Sequence, residues 1–203
     1  LNIDIYKTKY LNKEQQVVSN GIINKNNFDQ SLSRLDIRLK HSTSSGSYYT
    51  IGFGNDNEKL ERTNISVKPE HKSHFLYFQY DWNTNDKFNL VTGIRYDNHN
   101  KYNSQLSPKV SFKYDISEDL NLKGSFGYGY KTPDFRQLYL NFSNSTSGYV
   151  VLGTSVIDEV IIELQNNNEL MFYNELFTTN LLAENSNSYN LGLQYYVTPD
   201  IPL

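Results

Sequence analysis

The stretch Leu120–Lys131 alternates strictly between two kinds of side chain. Leu120, Leu122, Gly124, Phe126, Tyr128 and Tyr130 fall on one side and carry no charge. Asn121, Lys123, Ser125, Gly127, Gly129 and Lys131 fall on the other. Successive residues of a β-strand point to opposite faces, so this spacing predicts a strand with one apolar and one polar face. Its length suits a tilted strand crossing a bilayer. The same period recurs along the chain. Lys87–Asp97 sets Phe88, Leu90, Thr92, Ile94 and Tyr96 against Asn89, Val91, Gly93, Arg95 and Asp97. Ser107–Ile116 sets Val110, Phe112, Tyr114 and Ile116 against Lys109, Ser111, Lys113 and Asp115. Phe75–Trp82 and Tyr189–Val197 read likewise, and Asn2–Tyr10, Ser33–Lys40 and Tyr48–Gly54 are weaker strands of the same kind.

The connections sort by length. Ser42–Ser47, Asn83–Asp86 and Ser117–Asp119 are short and rich in turn-forming residues. Leu11–Leu32, Asn55–His74, Asn98–Leu106 and Thr132–Ser188 are long, and short and long alternate. A transmembrane barrel does this, with tight turns on one side and long loops on the other. A soluble sandwich has no reason to segregate its loops by end. The expected fold class is all-β: an antiparallel up-and-down meander of about eight strands, part of a larger transmembrane β-barrel. The last strand runs into "TPDIP", which reads as another short turn cut in the middle, so residues 1–203 read as four hairpins of something longer. Within the longest connection, Thr154–Leu164 predicts a short helix, with Ser155 and Asp158 at capping-box spacing and stripes at Val156, Val160 and Leu164 or Ile157, Ile161 and Leu164. Glu169–Phe177 is a candidate for a further turn or two of helix.

Composition supports a thin apolar face rather than a thick core. Tyr (17) and Phe (11) are abundant, yet mean hydropathy is only −0.63. Aromatic girdles around a modest lipid band give that profile. A net charge of −3 argues against nucleic acid as a partner. Cysteine is absent, which excludes a disulfide scaffold and thiolate metal sites and leaves the compartment open.

The order of motifs over Leu90–Phe142, "LVTGIRYDNHNKYNSQLSPKVSFKYDISEDLNLKGSFGYGYKTPDFRQLYLNF", resembles the barrel of TonB-dependent outer-membrane receptors. The matching elements are Gly93–Asp97, Ser107–Lys109, Tyr128–Pro133 and Arg136–Tyr139, followed downstream by "LLAENSNSYNLGLQYY", in which Ala183 stands where the family usually has proline. The match is specific over about Phe75–Tyr196. The resemblance implies a barrel of roughly 22 strands with an N-terminal plug domain in its lumen. It also implies energy transmitted by TonB, placement in the cell outer membrane among its lipid, and a small-molecule or metal-chelate ligand. This chain then reads as a partial barrel domain without its plug or terminal strands.

"GSFGYGYKT" nearly spells a phosphate-binding loop, but its Lys comes one residue late and its glycines sit inside a strand pattern rather than between strand and helix. Gly127 and Gly129 instead fall on the lumen side, where small residues leave room for what fills the barrel. Arg95, Asp97, Lys109, Lys113, Asp115 and Lys123 share that side, where they would pair with one another or meet plug or substrate. Arg136, Gln137 and Tyr139 lie beyond the strand, in the long loop, as candidate ligand-facing groups. His71 and His74, three apart in "PEHKSH", would share a metal or face a haem on a helix; in a polar outer loop the expectation is that they are solvated. Asp158, Glu159 and Glu163 read as a solvated helix face. No catalytic residue, resident metal or cofactor is expected. The expected function is import of a scarce solute, a ferric siderophore, haem, cobalamin or glycan. The alternative is a small barrel serving as an adhesin or structural anchor without transport.

Overall fold

The computed structural model of the chain describes residues 1–18, 21–63, 65–85, 87–144, 147–170 and 180–197. The predicted strands form an antiparallel meander: β1 (Asn2–Val18), β2 (Gly21–Ser42), β3 (Tyr48–Arg62), β4 (Glu70–Asn85), β5 (Phe88–His99), β6 (Gln105–Asp115) and β7 (Leu120–Lys131). After β7 come α1 (Phe135–Tyr139), a small hairpin of β8 (Asn141–Asn144) and β9 (Tyr149–Leu152), α2 (Ile157–Asn166) and β10 (Glu184–Tyr195). One eight-stranded sheet runs in the order β1-β2-β3-β4-β5-β6-β7-β10. It is open: β1 and β10 are its two edges, so these strands do not close a small barrel on themselves.

Three long connections are shorter than the alternation predicts. β1 and β2 continue through most of Leu11–Leu32, and β3 and β4 through most of Asn55–His74. β10 begins at Glu184, inside the predicted Thr132–Ser188 loop, and ends at Tyr195. These extensions mix polar residues with irregularly spaced apolar ones such as Phe28 and Leu60, so they carry no alternation to read. Backbone ladders and cross-strand charge pairs form them instead: Lys9 meets Asp29 at 2.8 Å and Arg34 meets Asp56 at 2.6 Å. The "TPDIP" turn lies outside the described residues.

Register turns the separate apolar faces into one surface. Residues directly opposite on neighbouring strands share a face. Ile3, Ile37, Phe53, Leu76, Tyr96 and Leu106 are successive partners across β1 to β6. A lower row runs Tyr49, Tyr80, Thr92, Val110, Phe126 and Tyr189 from β3 to β10. These side chains have no protein behind them: Leu76 is 53% exposed and Tyr189 75%. Trp82, Tyr114 and Tyr195 mark the band's short-turn edge and Tyr96 its other edge. So broad an unbacked apolar band suits hydrocarbon, not water.

The opposite face carries rows such as Arg38, Gly52, Tyr77, Arg95 and Ser107. Here glycine permits side chains to lie flat. The Tyr77 ring covers Gly52 and the Phe75 ring covers Gly54, and a Cβ at Gly54 would also stand 2.5 Å from the Leu35 main-chain oxygen. At the short-turn end, buried Ser47 Oγ accepts the Asn83 N–H at 3.0 Å and so ties two turns together.

Two substitutions test this geometry in the full-length protein folded into lipid. Phe126→Arg should lower the unfolding free energy by roughly 2–4 kcal/mol near the bilayer midplane, and Ser125→Arg by much less. Equal losses in denaturant titrations would overturn the facing assignment. Gly54→Ala should cost about 1–3 kcal/mol, because the methyl group meets both a ring and a backbone oxygen.

Candidate functional site

The lumen face and the loop folded over its outer end form the candidate site. On the wall, Arg95 Nη2 lies 2.8 Å from Asp97 Oδ1, and its guanidinium sits 4.0 Å above the Phe75 ring. Phe75 in turn covers Gly54, so glycine, ring and guanidinium are stacked. The pairing leaves Arg95 charged and oriented against an apolar support. Lys113 and Lys123 are directly opposed across β6 and β7. Each is drawn away from the other, Lys113 to Asp115 at 2.9 Å and Lys123 to the Gln194 carboxamide oxygen on β10. Lys109 lies across Gly93, and no atom approaches within 4 Å of where a Gly127 Cβ would stand. Gly129 instead sits beneath the Ser186 hydroxyl of β10. Asp36, Arg38, Tyr77, Arg95, Ser107 and Lys109 line a recess of about 410 Å³ with an excess of cationic groups.

Above the apolar band, the chain after β7 folds back onto the wall. Pro133 ends β7's continuation, and Asp134 begins α1 with a complete capping box. Asp134 Oδ1 accepts the Gln137 N–H at 2.8 Å, and Gln137 Oε1 accepts the Asp134 N–H at 3.0 Å. A helix of α1's length has little stability of its own. Its buried residues Phe135 and Leu138 dock it. Phe135 joins Leu60 of β3, Ile65 and Val156 in one cluster, flanked by Phe28, Tyr139 and Leu152. The Phe135 ring also packs 4.3 Å from His71, which lies 5.1 Å from His99, and His99 lies 5.1 Å from Tyr102. Arg62 of β3 donates to the Asn141 carbonyl at 2.9 Å. The Ser155 N–H reaches the Leu138 carbonyl at 2.8 Å and ties the start of α2 to the end of α1.

The predicted helix in Thr154–Leu164 is therefore present as α2, but without the Ser155 cap. Its N-cap is Val156, with no side-chain cap bond, because tertiary burial of Val156 and Ile157 seats it. Residues 169 and 170 are not helical, and most of Glu169–Phe177 lies outside the described residues. Asp158, Glu159 and Glu163 are exposed, and Glu159 accepts from Ser66 at 3.2 Å. Arg136 is exposed on α1, Gln137 is engaged in the cap, and Tyr139 is half-buried 6.0 Å from Phe135.

The histidines depart from the sequence expectation. His71 is not in a loop: it lies in β4, on the lumen face, only 6% exposed, while His74 is on the opposite face and exposed. Among the described residues no cluster of three or more His, Asp or Glu is placed to hold a metal. Burial, with His99 and Lys101 nearby, pushes the His71 imidazole down to about 4, and burial with Lys101 lowers His99. Glu58, opposite His71 in the ladder, shifts upward through burial and nearby Asp56, with Arg34 opposing and Asp134 adding. Extending β4's period backwards through His71, Ser73, Phe75 and Tyr77 would have placed His71 on the lumen face. The signal was present, but polar neighbours masked it.

A sheet apolar on one side and charged on the other, with tight turns at one end and a folded loop at the other, is a stretch of outer-membrane-type barrel wall. The chain belongs to the TonB dependent receptor-like β-barrel family, whose model matches residues 4–200. It is 30% identical over 105 residues to the probable TonB-dependent siderophore receptor PirA of Acinetobacter baumannii, which covers 52% of this chain and 13% of that protein. Among solved structures, it resembles the siderophore receptor PirA of Pseudomonas aeruginosa with a TM-score of 0.65 and 18% identity, over 97% of this chain and 37% of that one. It also resembles PirA of Acinetobacter baumannii (TM-score 0.57, 16% identity, 96% and 29%) and the ferric enterobactin receptor PfeA of Pseudomonas aeruginosa (0.52, 16%, 67% and 23%). The chain thus spans well under half the length of these relatives.

Phe135→Ala should release α1 and lose about 3–4 kcal/mol of loop docking, read as faster hydrogen exchange over residues 134–157. The docked loop should also loosen on acidification. His71 is neutral when docked and titrates near 6.5 when released, so its contribution is complete above about 6.5 and is lost as pH falls towards about 4. Glu58 acts in the opposite sense, because its raised value favours the docked state on acidification. Exchange rates should therefore become less acid-sensitive in His71→Phe and more so in Glu58→Gln; the reverse order would refute the assignment.

Proposed function

We propose that this chain is part of the barrel wall of an outer-membrane receptor that binds a ferric siderophore and imports it with TonB-transmitted energy. The observation that carries the reading is a lumen recess lined by three cationic groups, Arg38, Arg95 and Lys109, against one carboxylate, Asp36, together with a chain segment, α1 to α2, docked at the outer end of the wall. Siderophores are anionic or oxygen-rich chelators, and Arg95, Arg38 and Lys109 supply positive charge towards the path such a solute would take. The naming of PirA as a siderophore receptor and of PfeA as a ferric enterobactin receptor supports that substrate class over haem, cobalamin or glycan. The plug domain of the parent protein would fill the lumen, and its N-terminal region would contact TonB. Arg136, exposed on α1, and Tyr139, half-buried at its end, are the proposed ligand-facing groups; Gln137 serves the cap first. The role is binding and passage rather than catalysis, a reading supported by the family and by the naming of the relatives as receptors.

Uptake of radiolabelled ferric siderophores by cells carrying the full-length receptor tests this. Deleting residues 132–183 should reduce uptake to that of receptor-null cells while the barrel remains in the outer membrane. Removing TonB should stop uptake and leave surface binding intact. Uptake unaffected by both changes would refute the proposal.

A further inference from the structure

We infer that the lipid-facing side of β1, β3 and β4 carries a seat for the phosphate groups of an anionic membrane lipid, just above the apolar band. This rests on the membrane placement proposed above. The ladder puts Lys7, Ser33, Asn57 and Lys72 in one row, and Lys9, Ser31, Lys59 and Glu70 in the next. Both rows share the face of Phe53 and Leu76, because each is an even number of residues further along its strand. The first lies about 13 Å along the strand from the Phe53–Leu76 row, which with barrel tilt places it at headgroup height. Lysine stems are long enough to bend towards that level.

The four lysines are exposed, with Lys9, Lys59 and Lys72 between 51% and 57%. Two carboxylates organise them. Glu70 sits between Lys59 at 3.2 Å and Lys72 at 3.0 Å, and these two ammonium groups hold its carboxyl at about 2. Asp29 holds Lys9 at 2.8 Å, and Lys7 has no ion pair among the described residues. An ammonium group has three donors, so each paired lysine keeps donors for a second anion. The backbone beneath is fixed: Asn100 accepts from the Lys72 N–H at 2.9 Å and donates to the Glu70 carbonyl at 3.0 Å. Above the band elsewhere on this face, β5 offers Asn98 and β10 offers Asn185 and Asn187, all uncharged. Charge is thus concentrated in one patch directly above hydrocarbon. The complementary ligand is a lipid that places phosphates at the outer-leaflet surface while its acyl chains lie on Phe53 and Leu76.

Native mass spectrometry of the full-length receptor in detergent, with bisphosphorylated lipid A as probe, tests the seat. The wild type should retain this lipid and prefer it to the dephosphorylated form. Lys7→Gln/Lys9→Gln, which leaves both Glu70 pairs intact, should weaken retention on the order of tenfold, and Lys7→Gln/Lys9→Gln/Lys59→Gln/Lys72→Gln should abolish the preference. A control, Lys101→Gln/Lys131→Gln, removes cations elsewhere and should bind as wild type. Equal retention of both lipids by the wild type, or an equal loss in the control, would overturn the seat. A receptor that inserts into vesicles of any composition but shows no phosphate preference refutes the seat alone; one that inserts into none refutes the membrane placement as well.

Discussion

Everything in this structure depends on the cross-strand hydrogen-bond ladder. Next to hydrocarbon there is no water to satisfy a backbone N–H or C=O, so each strand must bond its neighbours along its length. The ladder does so from β1 to β10 in unbroken neighbour order. Once paired, the register leaves no freedom in facing: a one-residue slip would turn Phe126 and Tyr189 into the lumen and Ser125 and Asn190 into lipid. Apolar rows that cross six strands without interruption are the visible result.

The lumen face solves a different problem, because it must be wet and yet shaped. Glycines at 52, 54 and 93 let Tyr77, Phe75 and Lys109 lie flat against the wall. Phe75 supports Arg95, and Asp97 holds its guanidinium. At the outer end the wall becomes a docking surface. There most of the buried apolar groups among the described residues gather, around Leu60, Ile65, Phe135 and Val156, while Phe75 is buried on the wall beneath Arg95. A small core thus serves the loop rather than the sheet, and the sheet draws its stability from the bilayer and from its ladders. His71 packs against Phe135 beside that core, where burial pushes its imidazole down to about 4.

Much of the sheet was legible because alternation needs only two kinds of residue at period two. β7 has the bounds its pattern predicts, and β5 and β6 differ by one or two residues. Legibility failed where both faces are polar, as in "NKEQQ" and "NDNEK", since alternation disappears although the ladder continues. The loop was the least legible part. Its helix α2 could be placed from apolar spacing, but its start is set by packing rather than by Ser155. The docking of α1 depends on His71, Leu60 and Val156, which are far apart in sequence and meet only in the fold.

The sequence by itself determined which side chains share a face, which end bears the long connections and which family motifs stand in order, because strand geometry converts spacing directly into direction. The tertiary structure decided how far the strands extend beyond the membrane, which charges pair, and that "GSFGYGYKTPDFRQLY" runs from wall into a latch whose Phe135 is its anchor. Those features arise from contacts between distant strands, and no local period encodes a contact between residues 60, 71, 135 and 156.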